Sequence, residues 1–172
     1  MPNWCSNSLF VAHKDPEMMK KFNEGVKNGN LFETLLPLPT KDGEWDYGTA
    51  IEHWGTKWDV SNGDFWLDED SLNGNGSFDT AWGPPTEAYE KLKDLGFEIS
   101  ATYFEPGMAF AGAWTNETGD DCYEYDFEDE DWRDSIDNED VLDILESEYE
   151  CWKEYQDEME DEEESDEDEK KE

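Results

Sequence analysis

Positive charge is what this sequence has least of. Lys and Arg together number 12 against 49 Asp and Glu, a formal charge of −37 over 172 residues. Proteins that hold DNA or RNA use Lys and Arg to displace counterions from phosphates, so direct nucleic-acid binding is not expected, nor is an anionic membrane surface. Cysteine is also scarce. Cys5, Cys122 and Cys151 are odd in number and show no C-x-x-C spacing, which argues against a disulfide framework or a thiolate metal site. No apolar run is long enough to span a bilayer, and the first residues carry neither the basic nor the apolar segment of a secretory signal. The expectation is a soluble protein of a reducing compartment, without a cofactor.

Strong acidity often marks disorder. Here, however, aromatic residues make up 15% of the chain and nine of them are Trp; rings of that size need a core to pack in. The acidity is therefore added to a fold, and added unevenly. Residues 1–119 carry 20 acids against 8 bases, whereas residues 120–172 carry 29 against 4. This contrast predicts a folded domain over 1–119, an acidic strand and amphipathic helix over 120–159, and a disordered acidic tail over 160–172.

Periodicity organises the first part. "CSNSLFVAH" alternates as a strand, and "DPEMMKKFNEGVKNG" reads as a helix capped by Asp15 with Pro16 in its first turn. "LFETLLPLP" reads as an apolar connection, and "DYGTAIEHWGTKWDV" as a short helix leading to a turn. "GDFWLDEDSLNGNGSFDTAW" suggests two strands joined by a Gly/Asn-rich turn. "GPPTEAYEKLKDLG" is the clearest helix, with Pro85 near its start and Gly96 as its stop. "FEISATYFEPG" and "MAFAGAWTNETG" follow as strands around a turn at residues 105–108, and "CYEYDF" adds another. The fold class is α+β, an antiparallel sheet with two helices packed on one face, extra strands and an acidic C-terminal helix. In that helix Val141, Leu145, Tyr149, Trp152, Tyr155 and Met159 form one apolar stripe, with Asp137 as the expected N-cap. The stripe suits docking on the domain or, failing that, a partner.

Four stretches, "MPNWCSN", "HWGTKWD", "FDTAWGPP" and "YFEPGMAFAGAW", resemble phage and plasmid proteins that carry the YubB-type ferredoxin-like domain. The resemblance covers about residues 1–115 and implies a ferredoxin-like sheet and an origin in a mobile genetic element, acting in the host cytoplasm. It implies no iron–sulfur chemistry and carries over no catalytic residues.

Several sites compete with blander explanations. "DEDSLNGNGSFD" invites a calcium loop, but an EF-hand register starting at Asn73 puts Phe78 where glycine is required and Pro84 where glutamate is required; a polar turn is the simpler account. Cys5 with His53 would make a nucleophile pair only if something activated the thiol, and nothing local does. Exposed Trp beside carboxylates also describes a carbohydrate cleft. With this many acids such pairings arise by chance, and Trp54, Trp58, Trp82 and Trp114 suit a core or its edge, although Trp54 and Trp58 are also where the domain itself would carry an activity.

The acids after Cys122 differ because they ride on regular structure. Tyr123, Tyr125 and Phe127 alternate with Glu124, Asp126 and Glu128, which on a strand separates rings from carboxylates. Acids continue through Asp129, Glu130, Asp131, Asp134, Asp137, Glu139, Asp140, Asp143 and Glu146. Alternate strand residues stand about 6.6 Å apart and helical neighbours about 5–6 Å, comparable with the spacing of duplex phosphates, one per ~3.4 Å on each strand. These twelve residues are the expected partner-binding surface of a phage-encoded, non-enzymatic inhibitor of a host defence or DNA-processing protein, which would mimic DNA towards that basic, DNA-binding target. The alternatives are an accessory module whose acidity serves solubility and, third, a carbohydrate-active or other enzyme.

Overall fold

The computed structural model describes residues 2–60, 63–67 and 71–169, with side chains for all of these except Asp42 and residues 160–169. The chain runs β1 (Trp4–Ala12), α1 (Pro16–Asn28), α2 (Leu31–Leu35), α3 (Tyr47–Trp54), β2 (Gly63–Trp66), β3 (Asn73–Ala81), α4 (Thr86–Asp94), β4 (Glu98–Glu105), β5 (Phe110–Thr115), β6 (Gly119–Glu124) and α5 (Glu139–Glu169). Residues up to Glu124 form one compact unit and residues from Tyr125 onward a second, a boundary five residues later than the composition suggested.

In the first unit six antiparallel strands lie in the order β2-β3-β1-β4-β5-β6. Two crossovers interleave: β1 reaches β2 through α1–α3 and skips β3, while β3 reaches β4 through α4 and skips β1. Period two then decides the burial. Cys5, Asn7, Leu9 and Val11 of β1 and Ile99, Ala101, Tyr103 and Glu105 of β4 turn to one face. Leu9, Val11, Ile99 and Ala101 pack there with Met19 and Phe22 of α1 and Ala88, Tyr89 and Leu92 of α4.

α1 follows its sequence signals: the Asp15 carboxylate accepts the Glu17 N–H at 3.0 Å, and Gly29 closes the helix at φ +68°. The expected connection over "LFETLLPLP" is instead partly helical. The reason is non-local, because Asp59 accepts the N–H groups of Phe32 and Glu33, both at 2.8 Å, and caps α2 from far along the chain. The Gly/Asn-rich run, expected as a turn, belongs to β3. Gly74 and Gly76 are needed there for packing: a Cβ at either would meet Leu67 or the Phe65 ring from β2 and its end.

Beyond Glu124 the strand expected over "CYEYDF" stops, since Glu124 pairs with Phe110, the first residue of β5, and no partner strand continues. In the second unit Asn138, not Asp137, caps α5 by accepting the N–H groups of Asp140 at 3.1 Å and Val141 at 3.3 Å. The helix then runs through the segment expected as a disordered tail as far as Glu169; no Gly or Pro stands in its way. Among the described residues no helix is long and apolar enough to cross a membrane.

Candidate functional site

The four sequence stretches that looked distinctive meet at one end of the sheet. Trp82 donates its N–H to Asn3 O at 2.8 Å, and Thr56 Oγ1 donates to Ala81 O at 3.4 Å. The Thr80 hydroxyl donates to Gly83 O at 2.7 Å while accepting from the buried Asn7 amide at 2.8 Å. Gly55, at φ +79°, brings α3 against the start of α4; a Cβ there would lie 3.1 Å from Thr86 N and 3.2 Å from Glu87 N. From the fourth stretch the Glu105 carboxylate, 1% exposed, accepts the N–H groups of Gly107 at 2.8 Å and Met108 at 2.7 Å. These bonds hold Trp82 at φ +68°, a left-handed conformation that costs a non-glycine residue about 1–2 kcal/mol.

What that framework presents outward is aromatic. Trp4 (49% exposed), Trp45 (51%), Tyr47 (49%), Trp58 (39%) and Trp82 (44%) all keep large ring areas in solvent. The Lys57 ammonium lies 4.3 Å from the Trp58 ring centre, 5.3 Å from Trp82 and 5.9 Å from Tyr47. Trp45 Nε1 fixes the same lysine's backbone by donating to its carbonyl at 3.1 Å. A contiguous, exposed aromatic patch with a polar rim marks an interaction surface. Of the four Trp expected in the core or at its edge, Trp54 and Trp114 are buried, whereas Trp58 and Trp82 belong to this patch; a tryptophan count alone cannot tell the two apart. Trp4, Lys57 and Asp79 were missed as site residues, although the motifs that contain them were the available signal.

The Cys5–His53 pair does not acquire chemistry. Cys5 is fully buried, and burial, aided by the nearby Glu105 charge, pushes its thiol up to about 12, the reverse of activation. His53 is held more easily neutral by burial and by Lys91. Of the suspected cation loop, residues 68–70 lie outside the described residues, and Asn73 to Asp79 are strand.

In the second unit the aromatics anchor the acids, but not as a strand. The Phe127 ring contacts Tyr125 at 4.5 Å, Trp132 at 5.3 Å, Tyr149 at 5.4 Å and Trp152 at 5.9 Å. Val141 and Leu145 are fully buried, while Tyr155 and Met159 farther along the stripe are exposed. Asp126 and Asp129 accept the N–H groups of Glu128 and Asp131, both at 3.0 Å, so the acids of residues 126–131 are set on turns. Glu124 ends β6, Asp134 lies in a 3-10 turn, Asp137 precedes the α5 cap, and Glu139 and Asp140 form that helix's first turn. All of these and Asp143 are exposed. Glu146 is the exception: its two oxygens accept from Arg133 Nε at 2.5 Å and Nη2 at 2.9 Å, and that bond holds its carboxyl below the usual range. A neutralised carboxylate does not stand in for a phosphate.

Lys153 pairs with Glu150 at 2.9 Å, so both described basic residues of this unit are engaged. At 3.6 residues per turn Glu139, Asp140, Asp143, Glu154, Asp157 and Glu158 fall within a sector of about 100° opposite Val141, Leu145 and Trp152. Glu154, Asp157 and Glu158, all exposed, extend the acidic ridge past the twelve residues identified from sequence; helical periodicity could have found them. No family model, curated protein or solved structure matches the chain.

Proposed function

We propose that this protein is a phage-encoded, non-enzymatic inhibitor that occupies the nucleic-acid site of a basic host protein, in the host cytoplasm. The single observation that carries the proposal is the acidic ridge along α5, anchored by an apolar stripe that is buried at Val141 and Leu145, and free of unpaired basic residues among the described ones. The ridge from Glu139 to Glu158 covers about 20 residues of α5, or about 30 Å, the length of about 9 base pairs at ~3.4 Å each. Charge fixed on a helix and on hydrogen-bonded turns loses less entropy on docking than charge on a loose tail. It also steers association with a cationic partner.

The first unit would be a ferredoxin-like domain of the YubB type. Support comes from the order β2-β3-β1-β4 with its two interleaved crossovers, and from the meeting of the four resembling stretches at one end of the sheet.

The test is a full-length variant with Glu128, Glu130, Asp131, Asp143, Glu154, Asp157 and Glu158 changed to Gln or Asn. Asp126 and Asp129 are kept because they hold their turns. With circular dichroism unchanged, the variant should lose inhibition of its target and much of the salt dependence of binding. Full inhibition by the folded variant would refute the proposal. If acidity serves solubility alone, the variant precipitates more readily and binds as before.

A further inference from the structure

Beside the aromatic patch lies a recess of about 350 Å³ lined by Trp4, Trp58, Ser6, Asp59 and Asp79, with Thr80 and Ala81 completing it. The Trp4 and Trp58 rings stand 5.9 Å apart at 34°. The two carboxylates differ in availability. Asp59 spends both oxygens on the backbone, Oδ1 on Phe32 and Val60 and Oδ2 on Glu33. Among the described residues Asp79 accepts one hydrogen bond, from Ser6 Oγ at 2.9 Å through Oδ1. Among the described residues no lysine or arginine lines the recess; Lys57 lies over Trp58 but is not one of the lining residues.

We infer that this recess is a receptor for a guanidinium group, an arginine side chain of a partner protein laid against the ring surface that Trp4 and Trp58 present to the recess and paired with Asp79. Three observations carry it. Tryptophan faces attract cations, and a planar guanidinium stacks on them while its N–H groups reach a carboxylate. The chain uses the same chemistry internally: Arg133 lies 4.4 Å from the Trp132 ring centre and 4.8 Å from Tyr149 with its N–H groups on Glu146. Charge complementarity selects the occupant, since a chain of net charge −37 gathers cationic partners and repels anionic ones. The inference rests on the proposed function for its basic partner, but it adds a specific anchor on the first unit, where the acidic ridge is not involved.

The probe is N-acetyl-arginine amide, titrated into the full-length protein while the Trp indole N–H signals are followed by NMR. Trp4→Phe and Trp58→Phe assign the two signals. N-acetyl-citrulline amide, similar in shape but uncharged, is the control, and methyl glucoside tests a sugar in the same recess. Arginine should move the Trp4 and Trp58 signals saturably, at least tenfold more tightly than citrulline, and Asp79→Asn should remove about that tenfold. Equal response to citrulline overturns the inference, as does movement of the same signals by the glucoside in place of arginine. Arginine shifts confined to residues 126–158 also overturn it while leaving the acidic ridge standing. Conversely, arginine binding in the recess together with full inhibition by the ridge variant would refute only the ridge.

Discussion

Replacing Phe127 by Ala should dismantle the acidic surface without touching the sheet. Phe127 makes four ring contacts, with Tyr125, Trp132, Tyr149 and Trp152, each pair contributing about 0.5–1.5 kcal/mol beyond its buried area. Truncation of a buried Phe costs about 3–5 kcal/mol, and Phe127 is only partly buried, so about 3 kcal/mol is expected. Phe127→Leu keeps apolar area and loses the ring geometry, which should cost about 2 kcal/mol, the low end for four such pairs. Amide hydrogen exchange in the full-length protein resolves the effect by segment. Protection across residues 141–152 should fall about a hundredfold in the Ala variant, at about 1.4 kcal/mol per decade, while peptides from β1 and β4 exchange as in wild type. Association with the basic partner should slow as the carboxylates lose their fixed positions. Unchanged protection over 141–152 would refute the claim that this ring cluster organises the second unit.

Further outcomes follow from individual polar groups. Glu105→Gln should destabilise by about 2–3 kcal/mol, because an amide NH₂ must then face one of the two N–H groups the carboxylate accepts; thermal unfolding should show a fall of about 5–10 °C. Cys5, buried with its thiol near 12, should alkylate last with iodoacetamide at pH 8 and the exposed Cys151 first, by mass spectrometry of peptides. Partial desolvation raises the carboxyl of Asp120, a residue otherwise exposed, despite the hydrogen bond it accepts from Tyr103 OH at 2.7 Å. The folded chain therefore binds this proton more tightly than the unfolded chain, and the group's contribution falls as pH rises from about 4, the ordinary Asp value, through its raised folded value. Asp120→Asn should remove that slope, and a wild-type-minus-variant stability difference independent of pH would contradict it.

Local signals were legible in the sequence wherever they acted locally. Asp15 and Pro16 start α1, Gly29 ends it, and the alternation of "CSNSLFVAH" is the burial pattern of β1. What was not legible depended on distant partners. α2 is capped by Asp59, and the glycines of β3 answer to the side chains of β2 and its end. The alternation through Tyr125 and Phe127 continues past the point where β5 has any residue left to pair. In the second unit the acidic surface was visible as composition and helical period, except that the Arg133–Glu146 pair withdrew one carboxylate from it. In the first unit the aromatic patch stayed hidden because Trp4, Trp58 and Trp82 become a surface only once β1, β3 and the α3 turn meet.

The measurement that tests the central claim most directly is a capture experiment from host lysate, with the intact protein and the ridge-neutralised full-length variant as baits at low and moderate salt. The account predicts a DNA-binding protein held at one stoichiometry by the intact chain, absent from the variant, and released by duplex DNA. The same partner held equally by the folded variant, and retained when duplex DNA is added, would contradict it.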